Sequence, residues 1–199
     1  MPTLEVVDYQ SQWPQRFEEL RERIWPAVAA HALGLEHVGS TAVPGLAAKP
    51  IIDIDVIITA DALPAVIVQL ESLGYQHRGN LEIEGRAAFG CPPGALAHHL
   101  YVCIEGCPAI ANHLTIRERL RRDPEAAARY GLLKKQLAAQ HPNDIDRYVA
   151  GKTGFLLELL AQAGFPEEVQ ADPGGECAHT AATALTLPPP TICTGITRG

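Results

Sequence analysis

Positive charge is scarce in this chain. Lys and Arg number 16 against 23 Asp and Glu, giving a net charge of −7. The chain as a whole therefore offers no electrostatic footprint for a polyanion. No DNA partner is expected, and any nucleic acid would need a local basic patch. Also missing is an apolar run of the ~18 residues that cross a bilayer. The opening residues, Met1 to Tyr9, lack a basic segment followed by an apolar one, as a secretory leader requires. A cytoplasmic protein with no membrane partner is expected. The five cysteines (Cys91, Cys103, Cys107, Cys177, Cys193) are odd in number and irregularly spaced, which argues against a disulfide framework. Cys103 and Cys107 stand near His98-His99, but no Cys-x-x-Cys pair supports zinc, so free thiols are the expectation. No internal repeat is present.

What is there is ample for one domain: 199 residues, 47% of them hydrophobic, with a full core within reach. Residues 4–10 read as a short extended segment. Trp13-Pro14 opens a helix, with Pro14 in the first turn and Phe17, Leu20 and Ile24 at helical spacing. A second helix is expected over 62–73, stopped by Gly74. Short strands are expected over 75–78, 81–84, 86–89 and 98–104, joined by Gly and Pro turns. Helices follow from Ile110 to Asp123, from Pro124 to Gln140 and from Ile145 to Ala163. Asn143-Asp144 can cap the last of these, and Gly151 and Gly154 suggest a bend or break within it. A domain of 1–166 and a tail of 167–199 are expected. From residue 172 the tail is Gly, Pro, Thr and Ala without periodicity, a composition that reads as disordered.

The unusual stretch is 36–59. Ile51-Ile52-Asp53-Ile54-Asp55-Val56-Ile57-Ile58 is a β-branched run that reads as a buried strand, yet it carries two carboxylates. Side chains alternate along a strand, so Asp53 and Asp55 share one face, roughly 7 Å apart. Like charges there repel and are costly to desolvate. A divalent cation with hard oxygen ligands, such as Mg²⁺, removes both penalties. The bland alternative is a strand end whose carboxylates meet Arg or cap a neighbour. Gly39-Ser40 upstream favours the first reading, because backbone N–H groups and a hydroxyl there can hold phosphate oxygens beside the metal.

Gly-Ser followed some ten residues on by Asp-x-Asp resembles the nucleotidyltransferase superfamily. The longer run Glu36-His-Val-Gly-Ser-Thr-Ala-Val-Pro-Gly-Leu-Ala-Ala-Lys-Pro-Ile-Ile-Asp-Ile54 is similar to the signature of the GrpB family within it. So are Tyr9-x3-Trp13-Pro14-x2-Phe17, the His98-His99-Leu100 segment, Tyr130-x3-Lys134 and Gly151-Lys152. The resemblance implies an α/β mixed-sheet, nucleotidyltransferase-like fold with C-terminal helices closing one side of a cleft.

Nucleotidyl transfer places metal between attacking and leaving oxygens, commonly on three carboxylates. Asp53 and Asp55 supply two. The strand 97–102 holds no acid, leaving Glu82, Glu84 and Glu105 as outlying candidates for the third. His99, or its neighbour, points inward as a ligand or acid–base group, against the alternative of a core histidine bonded to backbone. His37 reads as structural. Lys49 and Arg86 are candidates for triphosphate charge, as are Lys134 and Lys152, with Arg117, Tyr130 and Tyr148 near base, ribose or phosphate. Gly151-Lys152-Thr153 is no P-loop, because position 146, where the first glycine belongs, is Asp146. The expectation is a Mg²⁺-dependent transfer of a nucleotidyl group from a nucleoside triphosphate to a small-molecule or protein acceptor. The alternative is a nucleotide-binding or regulatory module without turnover. The family's resemblance to a domain fused to dephospho-CoA kinase links that alternative to coenzyme A metabolism.

Overall fold

The computed structural model describes residues 4–164; the expected boundary at 166 and the tail beyond it lie outside the described residues. Five strands make one mixed sheet in the order β1-β2-β5-β4-β3: β1 (Ala32–Val38), β2 (Ile52–Ile58), β3 (Gln76–His77), β4 (Arg86–Gly90) and β5 (His98–Ile104). Only the β2–β5 pair is parallel. The segment between those two strands carries helix α2 (Leu63–Ser72), as a parallel crossover requires.

The alternation in β2 divides the molecule. Ile52, Ile54, Val56 and Ile58 face one way, joined by Leu100 and Val102 of β5 and Ala87 and Phe89 of β4. Helix α1 (Trp13–Val28) covers this face with Trp13, Phe17, Leu20, Ile24 and Val28, and α2 adds Val66 and Leu70. These side chains form the main core. Ile54 and Val56 have no exposed surface, so truncating Ile54 to Ala carries the ~2–5 kcal/mol of a core cavity.

The opposite face carries Asp53, Asp55 and Ile57 of β2 beside His99, Tyr101 and Cys103 of β5, residue for residue in register. Helix α3 (Pro108–Arg122) packs on this side against β1 and β5, and α4 (Pro124–Gln140) and α5 (Ile145–Gln162) pack against α3 and each other. A second core of Val43, Leu46, Ile116, Leu120, Tyr130 and Leu160 ties them to the loop after β1. Asp123 caps α4 and Asp144 caps α5, each accepting a backbone N–H three residues on.

Two expectations need correction. Residues 81–84 are a turn rather than a strand. Leu81 and Glu82 sit at φ 48° and 65°, and the Asn80 side chain accepts the Glu82 N–H at 3.1 Å, an Asx-type turn that competes with extension. Helix α5 runs unbroken through Gly151 and Gly154. A Cβ at Gly151 would overlap the Leu137 side chain of α4, so this glycine permits close helix packing rather than a break.

Candidate functional site

The site begins where β1 ends. Val38 pairs with Asp53 across the β1–β2 ladder, and the next residue, Gly39, turns at φ 68°. A Cβ on Gly39 would overlap the Asp53 carboxylate at Oδ2. Glycine is therefore required twice, by conformation and by space. Ser40–Ala42 then forms a single tight turn. Its hydroxyl at Ser40 accepts from Lys134 Nζ at 2.7 Å, which brings α4 onto the loop. Helix α3 clamps the same loop: Arg117 donates to Glu36 Oε2 at 2.7 Å and to the His37 carbonyl at 2.8 Å, and Arg121 donates to the Ala42 carbonyl at 2.8 Å.

A narrow opening lies here, lined by Ser40, Thr41, Ala48, Lys49, Ile51, Asp53, Lys134 and Tyr148. Lys134 is 2% exposed and lies over the Tyr130 ring at 4.5 Å. Lys49 and Lys152 both lie over the Tyr148 ring, at 5.7 and 4.7 Å. Cation–π contact lets the rings hold ammonium groups in partly desolvated surroundings. Sequence separates these residues by about a hundred positions, and the fold gathers them around one loop.

The two aspartates differ in setting. Asp53 reaches the cleft with its side chain 18% exposed and accepts from His99 Nδ1 through Oδ1 at 2.8 Å. Asp55 is fully buried, and its Oδ2 accepts from His113 Nδ1 of α3 at 2.6 Å. Its other oxygen, Oδ1, is buried with no hydrogen-bond partner. Ionised carboxylates only accept, so each Nδ1 carries the proton. The position on β5 next to Asp53 is His99. The carboxylate next to Asp55 on β1 is Glu36, which is engaged by Arg117. Among the described residues no group of three or more His, Cys, Asp or Glu side chains is placed to hold a metal ion. One feature still fits a cation beside this strand: the orphaned, buried Asp55 Oδ1.

Other sequence candidates lie apart from the cleft lining. Arg86 is buried and stacks over Tyr101 at 4.5 Å, on the Asp55 side. His98 is a core residue on the opposite face. Its Nε2 lies 2.8 Å from the Tyr75 hydroxyl and its Nδ1 2.6 Å from the Leu96 carbonyl, and burial lowers its pKa. His37 stacks on Phe17 with ring centroids 4.6 Å apart and meets Thr41 Oγ1 at 3.0 Å; burial pushes its pKa down to about 4. Cys91, Cys103 and Cys107 are free thiols. A hydrogen bond from Cys103, aided by backbone N–H groups at the start of α3, brings Cys107 down to about 6.

Two contributors were missed from sequence. His113 had a usable signal: it shares the buried stripe of α3 with Ile116 and Leu120, and a polar residue there needs a buried partner. Glu36 had none, since its place beside Asp55 depends on strand register.

The mixed sheet, with Gly39-Ser40 at the end of β1 and Asp53-x-Asp55 on β2, has a nucleotidyltransferase-like fold. The GrpB protein family profile matches residues 3–162, and the chain belongs to that family. It is 37% identical over 154 residues to the UPF0157 protein YqkA of Bacillus subtilis, covering 77% of this chain and 45% of YqkA. A dephospho-CoA kinase of Mycolicibacterium paratuberculosis is 26% identical over 180 residues, 76% of this chain and 44% of the kinase. The chain thus spans less than half of either relative. Among solved structures, GrpB from Enterococcus faecalis superposes with TM-score 0.71 at 35% identity, over 81% of this chain and all of that one. Cid1 in complex with the UTP analogue UMPNPP superposes with TM-score 0.53 at 10% identity, over 76% of this chain and 49% of Cid1, a likeness of fold. No helix among the described residues is long and apolar enough to cross a membrane.

Proposed function

We propose that this protein binds a nucleoside triphosphate with Mg²⁺ and transfers its nucleotidyl group to a small-molecule or protein acceptor. One observation carries the reading: Ser40, Lys49, Asp53 and Lys134 line one cleft. Hydroxyl, two ammonium groups and a carboxylate around a single opening suit a phosphate chain beside a cation. Gly39 and Ser40 would receive phosphate oxygens, Ser40 with its hydroxyl held by Lys134. Lys49 and Lys134 would offset phosphate charge, with Lys152 reinforcing them behind Tyr148. Asp53 and Asp55 would hold Mg²⁺, which, when bound, neutralises developing charge on the transferring phosphoryl group. His99 keeps Asp53 in one orientation and has its second ring nitrogen left for an acceptor proton. Arg86 adds positive charge on the Asp55 side. A cytosolic location, where triphosphates are plentiful, belongs to the same reading.

A second reading rests on a specific observation. The strand position beside Asp53 is an imidazole, and the carboxylate beside Asp55 is occupied by Arg117. A two-carboxylate site of this kind suits nucleotide binding or regulation without turnover, including service to a dephospho-CoA kinase. Pyrophosphate release separates the two. With Mg²⁺, each of the four triphosphates and a pool of small-molecule and protein acceptors, a transferase releases pyrophosphate in step with labelling of an acceptor. Saturable nucleotide binding with no release above an Asp53→Asn control would establish the module instead.

A further inference from the structure

We infer that His113 is a positioning residue: it fixes one oxygen of Asp55 and so leaves the other for a divalent cation. The inference rests on the reading of Asp53 and Asp55 as metal ligands. The same arrangement occurs twice on one strand face. Asp53 gives Oδ1 to His99 Nδ1 at 2.8 Å, and its Oδ2 packs against Gly39, in the place a Cβ would take. Asp55 gives Oδ2 to His113 Nδ1 at 2.6 Å and keeps Oδ1 without a hydrogen bond. Each carboxylate thus has one oxygen held by an imidazole, and at Asp55 the other is left over.

At Asp53 this arrangement needs little explanation, because the side chain is partly in solvent. At Asp55 there is no solvent. A buried carboxylate oxygen without a partner is uncommon and costly, and a hard cation is the ligand that such an oxygen suits. Metal ligands are commonly oriented by groups behind them, whose loss weakens metal affinity by about 10–100-fold. His113 is well placed to orient. It lies 58 residues from Asp55 in sequence on a helix whose Ile116 and Leu120 are buried and whose Arg117 is bonded to β1. The imidazole is therefore delivered by a rigid element rather than by a loop.

The test is Mn²⁺ and Mg²⁺ affinity of the full chain, by electron paramagnetic resonance and calorimetry, with melting temperature recorded beside it. His113→Asn places an amide N–H where Nδ1 stood, His113→Gln places it where Nε2 stood, and His113→Leu has no donor. Metal affinity within about threefold of wild type for Asn, with a loss of about 10–100-fold for Gln and Leu, is the expected result. Where Leu fails to fold, the Asn and Gln pair carries the comparison. Wild-type affinity in all three folded variants, or losses that simply follow melting temperature through the series including Asn, overturns the role of His113 while leaving a metal site standing. A wild-type protein that binds neither ion overturns the metal reading and this inference together.

Discussion

Burial makes His37 a poor place for a proton. His37 lies against Phe17 with the rings 7° from parallel, and burial holds its pKa near 4 rather than 6.5. Protonation is thus easier in the unfolded chain than in the folded one between these values. The sign follows: the stability that neutral His37 contributes is intact above pH 6.5, falls as pH drops, and is gone below about 4. The loss attributable to His37 amounts to at most about 3 kcal/mol. Urea midpoints for wild type and His37→Gln, measured between pH 7 and pH 4, check this. The wild-type slope should be steeper, with His98 leaving a residual slope in both because burial lowers it in the same direction. Parallel slopes would remove His37 from the account. Asp53 and Asp55 show what sequence cannot weigh at this scale. Alternation in β2 put both on one face, but whether they were unpaired or structurally bonded depended on β5 and α3. The answer is one imidazole each.

At the scale of elements, legibility tracked how local the determining interactions were. Helix α1 was readable because its proline, apolar stripe and charged face lie in consecutive turns. Strand β2 was readable because a β-branched run has few other uses. The turn at 79–85 was misread because Leu81, Ile83 and their neighbours look strand-like, while the Asn80 side chain and two left-handed residues decide otherwise. Gly151 was misread because its reason lies on another helix, at Leu137. Helix α4 matters to the site through one residue. Lys134 is buried, bonds Ser40 and borders the cleft. Lys134→Met keeps length and removes charge. Nucleotide affinity should fall at least about tenfold, the equivalent of ~1.4 kcal/mol from one charge-assisted contact, with the far-ultraviolet circular dichroism of a folded protein. Unchanged affinity would move the phosphate away from α4.

The whole molecule is a sheet with two unlike faces. One is the apolar core under α1 and α2; the other carries carboxylates and imidazoles under α3. The two faces of β2 and the Gly39-Ser40 and Asp53-x-Asp55 residues were visible in short stretches of sequence, whereas the nucleotidyltransferase-like fold came from the resemblance to the GrpB family, periodicity alone giving only alternating helices and strands. The partners of the site were not visible, since they arrive from helices far along the chain. On this reading a nucleotide and a cation meet at the β2 face. Calorimetric titration of ATP, CTP, GTP and UTP, with and without Mg²⁺, on wild type and Asp53→Asn/Asp55→Asn tests it most directly. Binding that requires Mg²⁺ and vanishes in the double variant is the expected outcome. No binding of any triphosphate by the folded wild type, or equal binding by the double variant, would contradict it.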